Sequence, residues 1–125
     1  MTSDACAFDC WARAYEPITE FRQIRYWLGF AVEVPEGFAA LLMPRSSICR
    51  TSMRMANGIG LIDRDFRGEV SAVFDVIGDG NLLYGVGERV AQMLIVPAPI
   101  VQLEQVDELS ETGRGNGGYG STERR

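Results

Sequence analysis

ANGIGLIDRDFRGEVSAVFDVI, residues 56–77, carries the main signal for the fold. Asn57, Gly58 and Gly60 mark a turn, and IGLID (59–63) is a short apolar run that ends in charge. Past Arg64 and Asp65, VSAVFDVI (70–77) resumes an apolar, β-branched pattern. Two such runs around a polar segment predict a β-hairpin whose tip is charged. The bare backbone at Asn57, Gly58 and Gly60 also lets a flat ligand approach main-chain N–H and C=O groups closely.

The same signal recurs to either side. LGFAVEV (28–34) reads as a strand running into the turn Pro35-Glu36-Gly37, and FAALLMP (38–44) as another stopped by Pro44. GDGN (78–81) is a turn, and RVAQMLIVPAP (89–99) a strand ended by prolines. IVQLEQV (100–106) alternates as a half-buried strand does. EFRQIRYWL (20–28) spaces Phe21, Ile24 and Leu28 at helical intervals but is short and uncapped, so helix and strand both remain open. Many short strands between turns predict an all-β sandwich or barrel. The composition shifts only after about residue 108, where a polar, glycine-rich tail begins.

The chain has 125 residues, 46% of them apolar and 23% charged, which suits one globular domain. No apolar run approaches the roughly 20 residues of a membrane span, and the start MTSDACAFD lacks the pattern of a signal peptide. A cytoplasmic protein, or one inside a host cell if the source is viral, is expected. The net charge of −5 argues against nucleic acid as a partner. There is no histidine, which excludes Ser-His-Asp and Cys-His catalysis within the chain and leaves a carboxylate as the expected general base. There is no lysine either, so a phosphate site must use arginine, hydroxyls and backbone N–H groups. Cys6, Cys10 and Cys49 have no metal-ligand spacing and read as reduced thiols.

Five short segments combine residues that chemistry can use. AFDCWA (7–12) sets Asp9 among apolar neighbours, and PRSS (44–47) puts Arg45 beside two hydroxyls. ANGIGLIDRDFRGEV (56–70) joins bare backbone to Asp63 and Phe66, and GERVAQML (87–94) holds Gln92 in an apolar strand. RGNGGYGST (114–122) combines Arg114, glycines, Tyr119 and two hydroxyls. Composition alone makes this last segment a frayed tail, while its residue types could also wrap an anion and stack on a base.

In this order, the five segments resemble the motifs of the trimeric dUTP pyrophosphatase (dUTPase) family: AGYDLxA, GRSS or PRSG, GVIDxDYRGE, GxRIAQL and RGxGGFGST. The resemblance runs from residue 5 to 122. It implies a jelly-roll-like distorted β-barrel over residues 1–111, a flexible C-terminal arm over 112–125, and a homotrimer whose active sites are shared between subunits. It implies hydrolysis of dUTP to dUMP and pyrophosphate, with Mg²⁺ as cofactor. Asp63 matches the carboxylate that activates water, and Asp9 a residue that reaches the metal through water. Arg45, Ser46, Ser47, Gln92, Arg114, Ser121 and Thr122 match phosphate contacts. Asn57, Gly60, Leu61, Phe66, Ser71 and Tyr119 match the positions around uracil and deoxyribose.

The pattern departs from the family in four places. Phe66 and Tyr119 exchange the commoner tyrosine and phenylalanine, and Ala7 and Phe8 replace glycine and tyrosine. The chain also starts almost at its first motif, where members of the family usually carry an earlier strand. Residues 16–27 are richer in aromatics and arginine than the resemblance leads one to expect. Two alternatives accompany it: a dCTP deaminase-like enzyme, against which Val73 stands where a catalytic glutamate is needed, and a non-catalytic trimeric nucleotide-binding or regulatory protein.

Overall fold

Alternation along the short apolar runs sends every second side chain to one face, and two such faces pack together. The computed structural model describes residues 4–120. Their strands are β1 (Phe8–Trp11), β2 (Ala14–Ile18), β3 (Gln23–Trp27), β4 (Phe38–Pro44), β5 (Met53–Met55), β6 (Gly60–Ile62), β7 (Ser71–Val76) and β8 (Arg89–Pro97). One sheet has the order β1-β8-β4-β6, the other β2-β3-β7-β5, and every ladder is antiparallel. The result is an all-β, jelly-roll-like barrel.

The core lies between the sheets. Ala40, Leu42, Ile62 and Val90 come from the first sheet, and Ile24, Tyr26, Met53, Ala72 and Phe74 from the second. Tyr26 and Phe74 meet edge to face at 5.6 Å, and Tyr84 meets them at 6.4 and 6.1 Å. Such geometry suits the ring quadrupoles. The Tyr26 hydroxyl donates to the Tyr84 carbonyl at 2.8 Å, so the buried phenol keeps a partner. Burial pushes that phenol up to about 12. Burial, followed by the charge of Asp9, pushes the Cys10 thiol up to about 11, which keeps it protonated near neutral pH.

The chain departs from several sequence-based expectations. Residues 28–34 form no strand, although Leu28 and Val34 are buried. Gly29 adopts φ 78°, which ends the extended path after β3. The ambiguous 20–28 segment is a single 3₁₀ turn (Thr19–Phe21) followed by β3. β2 and β3 pair as a hairpin turned by Arg22 in the left-handed region at φ 52°. Its aromatic and arginine richness has a use on the outer face: the Arg25 guanidinium lies 5.3 Å over the Trp27 ring, and Trp27 Nε1 donates to Glu16 at 3.2 Å.

Residues 56–77 do not form the expected hairpin. β6 pairs with β4, whereas β7 pairs with β3 and β5 in the other sheet. The charged link between them therefore crosses from sheet to sheet. Residues 100–106 form no strand among the described residues; Ile100, Val101 and Leu103 are exposed at 67%, 73% and 94%. Their alternation in sequence is not matched by alternating burial, since the whole segment is exposed.

Phe74 is fully buried at the centre of the aromatic cluster. Phe74→Ala should destabilise the protein by about 3–5 kcal/mol, measured as a shifted midpoint in chemical denaturation at fixed protein concentration.

Candidate functional site

The chain crosses between the sheets twice in quick succession, at 56–59 and at 63–70, and a cavity opens between the crossings. The first crossing is tight: Gly58 N–H bonds to Met55 C=O at 3.1 Å and Ile59 N–H to Asn57 C=O at 2.8 Å. Gly58 there adopts φ 70°, a conformation side chains rarely take. In the second crossing Phe66 N–H bonds to Asp63 C=O at 3.1 Å. Asn57, Gly60, Leu61, Asp63, Phe66 and Ser71 consequently line one cavity of about 390 Å³. All six are sequence-predicted residues of the base and water-activating group. A cavity of this size, with apolar walls and a few polar groups, suits a flat heterocycle.

Two neighbours that the sequence did not single out set its geometry. Glu69 also lines the cavity. It accepts both guanidinium bonds of Arg13, at 2.9 and 2.7 Å, and the N–H of Gly29 at 2.9 Å. This fork fastens the end of the crossing to the residues just before β2 and just after β3. The Arg13 bond holds the Glu69 carboxyl below its ordinary range, against a weaker push from burial and with help from Gly29. A lowered carboxylate stabilises the fold fully above its ordinary value and loses that contribution as pH falls through the lowered one. Gly68 is the second neighbour. A Cβ there would lie 2.8 Å from Phe66 Cζ, so only glycine lets the ring rest where it does. Glu69 and Gly68 stand inside the quoted motif, but nothing in the local pattern names their partners.

The predicted phosphate group gathers elsewhere. Across the first sheet Asp9 faces Gln92 on β8, and Gln92 faces Met43 on β4. Asp9 accepts Arg45 Nε at 3.0 Å and Arg89 Nη1 at 3.3 Å. Arg45 Nη1 also donates to Ser47 Oγ at 3.3 Å, and Ser47 Oγ lies 2.7 Å from Tyr84 Oη. Gln92 Nε2 donates to Pro44 C=O at 3.0 Å. Ser46 is exposed at the start of the 3₁₀ turn Ser46–Arg50. This is a hydroxyl- and guanidinium-rich face, chemistry that fits phosphate oxygens. Arg89 and Tyr84 were not anticipated: the first sits unremarked in its motif, the second lies outside all five.

The two groups share no lining residue. β4 separates them. Leu42, pointing into the core, lines the first cavity, whereas Met43, pointing outward, lines the cleft with Asp9 and Gln92. The predicted arm stands apart from both. Arg114 is exposed and its backbone carbonyl accepts the N–H of Gly117 at 3.2 Å in a turn, and Tyr119 is fully exposed. Ser121 and Thr122 lie outside the described residues.

The residues present bear on a divalent cation. Among the described residues no three or more Asp, Glu, Cys or His side chains gather. Both Asp9 oxygens already accept from arginine. Such a donor set fits Mg²⁺ as an ion that keeps its water and rides on phosphate, and does not form a protein cage.

A dUTPase family model matches residues 1–123. A deoxyuridine 5'-triphosphate nucleotidohydrolase of Hydrogenobaculum sp. is 39% identical over 106 residues, which is 84% of this chain and 74% of that protein. Among solved structures, the dUTPase of Staphylococcus bacteriophage 80alpha with dUpNHpp superposes with a TM-score of 0.79 at 23% identity, over 98% of this chain and 88% of that one. A dUTPase from phage phi11 of S. aureus, described with a structural Mg(II) ion, gives 0.69 at 20% identity over 86% of each chain. At these identities the structural likeness supports the fold, and the sequence matches support the family.

Gly68→Ala should push the Phe66 ring aside without straining the backbone. Nucleotide binding should weaken about fivefold, the loss of roughly one ring contact, with the melting midpoint nearly unchanged. Titration of a nucleotide analogue followed by a thermal scan checks both.

Proposed function

This chain belongs to the dUTPase family, and we propose that it hydrolyses dUTP to dUMP and pyrophosphate, limiting uracil in DNA and supplying dUMP. The observation that carries this is the single cavity lined by Asn57, Gly60, Asp63, Phe66 and Ser71. It unites a bare main chain, a ring and a carboxylate.

The chemistry follows from those groups. Uracil presents an N3–H donor and an O4 acceptor to Asn57 and to the backbones of Gly60 and Ser71. Cytosine reverses both and leaves buried groups unpaired, a mismatch that can discriminate by about 10⁴-fold. A thymine methyl collides with the tight turn. Phe66 lies against deoxyribose, next to Leu61, and crowds a 2′-hydroxyl. Asp63 orients a water and takes its proton as the oxygen bonds to the α-phosphorus; the bond from that phosphorus to the pyrophosphate oxygen breaks. When bound, Mg²⁺ would supply charge neutralisation in the transition state. Asp9, held by Arg45 and Arg89, would meet the ion through its water shell.

The site is completed between subunits of a homotrimer. Supporting this, the base cavity and the phosphate face share no lining residue, and adjacent residues of β4, Leu42 and Met43, line one each. The uracil held by one subunit leads its phosphates to Arg45, Ser46, Ser47 and Gln92 of a neighbour. Residues 112–125 form the closing arm: Tyr119 stacks over uracil, and Arg114, Ser121 and Thr122 clamp the outer phosphates while excluding water. The exposed apolar run at 100–106 supports the same assembly, because it offers surface that a neighbour can cover. The working compartment is where deoxynucleotides are made, the cytoplasm of the cell or of a host. A deaminase reading finds no support at Val73, whose aliphatic side chain lines the base cavity and cannot activate water.

Pyrophosphate release with Mg²⁺ from dUTP, dCTP, dTTP and UTP in parallel tests the proposal. Release from dUTP alone is expected; equal release from UTP would remove Phe66 from the sugar filter, and no release from any would leave a binding protein. Asp63→Asn should bind dUTP normally and turn over at least about 10²-fold more slowly. Turnover at the parent rate would assign the base to another group.

A further inference from the structure

Tyr84 lies in GNLLYGVGERV, between β7 and β8, outside every motif residue given a role above. We infer that Tyr84 is a positioning residue for substrate: it donates its hydroxyl proton to Ser47 Oγ and so turns the serine's own proton toward a phosphate oxygen. The inference rests on the proposal that Ser47 contacts phosphate.

The ring cannot swing freely. It packs edge-on against Tyr26 and Phe74 in the core, and its own carbonyl accepts the Tyr26 hydroxyl at 2.8 Å. Its hydroxyl emerges from this packing 2.7 Å from Ser47 Oγ, at a cleft also lined by Arg45 and Arg89. Distance alone leaves the donor of that pair open, and the neighbouring groups decide it. A serine hydroxyl has one proton and two lone pairs. Arg45 Nη1, which can only donate, already gives a bond to Oγ at 3.3 Å. If Tyr84 donates as well, both lone pairs are occupied and the serine proton must point outward. If Ser47 donates to Tyr84 instead, no proton remains for an anion. Phosphate oxygens only accept, so a bound triphosphate selects the first arrangement. Two donors into Oγ also polarise its O–H and strengthen the outward bond. The phenol therefore couples the aromatic core to the phosphate face through one serine.

The test is a double-mutant cycle on the full-length enzyme, read by steady-state kinetics with dUTP and Mg²⁺. Tyr84→Phe removes the hydroxyl and keeps the ring packing. It should raise KM by about three- to tenfold with kcat within about twofold of the parent, the effect of one lost ground-state hydrogen bond. Ser47→Ala should also raise KM, and adding Tyr84→Phe to it should change KM by less than about twofold. If Ser47→Ala raises KM but Tyr84→Phe does not, the positioning role is overturned while the phosphate role of Ser47 stands. Full additivity overturns it too, since Tyr84 would then act by another route. A lower melting midpoint for Tyr84→Phe with an unchanged KM would make the hydroxyl purely structural. A parent-like KM for Ser47→Ala would instead remove Ser47 from the phosphate site.

Discussion

The pleat of β4 is the constraint on which the functional arrangement depends. Neighbouring residues on a strand point to opposite faces, so Leu42 and Met43 cannot serve the same side. Leu42 closes the base cavity from within the barrel. Met43 stands outside, in the row with Gln92 and Asp9. Since β8 and β6 pair with β4 on either edge, the register that fills the core also decides which face each functional side chain occupies. A slip of one residue would empty the core and scatter both groups at once. Stability and function thus impose the same register.

Rigid supports surround the cavity where the main chain is least regular. The two crossings have no ladder of their own. Gly58 allows one to turn, and the fork from Arg13 to Glu69 ties down the other. The aromatic cluster of Tyr26, Phe74 and Tyr84 does comparable service beneath the face that carries Arg45 and Ser47. In each case a loop with functional groups is held by a contact reaching far along the chain, the usual way a scaffold lends precision to a loop.

What the sequence allowed to be read depended on whether a signal was local. FAALLMP and RVAQMLIVP were legible as strands because their burial and their pairing coincide. LGFAVEV was misread because Leu28 and Val34 are buried without a ladder, and apolar pattern reports burial. The segment 59–77 gave its two strands correctly but not their partners: a polar link says nothing about whether the chain returns beside itself or crosses to a second sheet. IVQLEQV alternates in sequence yet forms no strand and is exposed along its length, because no neighbouring strand is there to pair with it among the described residues. The site divides similarly. Asp63, Asn57 and Phe66, which line one cavity, stand out in the sequence because their residue types occur in a restrictive order. Arg13, Glu69 and Tyr84 do not, because each is defined by a partner distant in sequence.

The wall formed by β4 also has a genetic consequence. If each site takes its base cavity from one subunit and its phosphate face from the next, two differently disabled chains need not make a dead assembly. A chain damaged only at the cavity and a chain damaged only at the outer face, mixed in one oligomer, bring an intact cavity against an intact face at some junctions. Those alleles would complement one another, whereas two alleles damaged on the same side of β4 would not. The strand that divides the protomer would thereby sort loss-of-function alleles into two complementation groups.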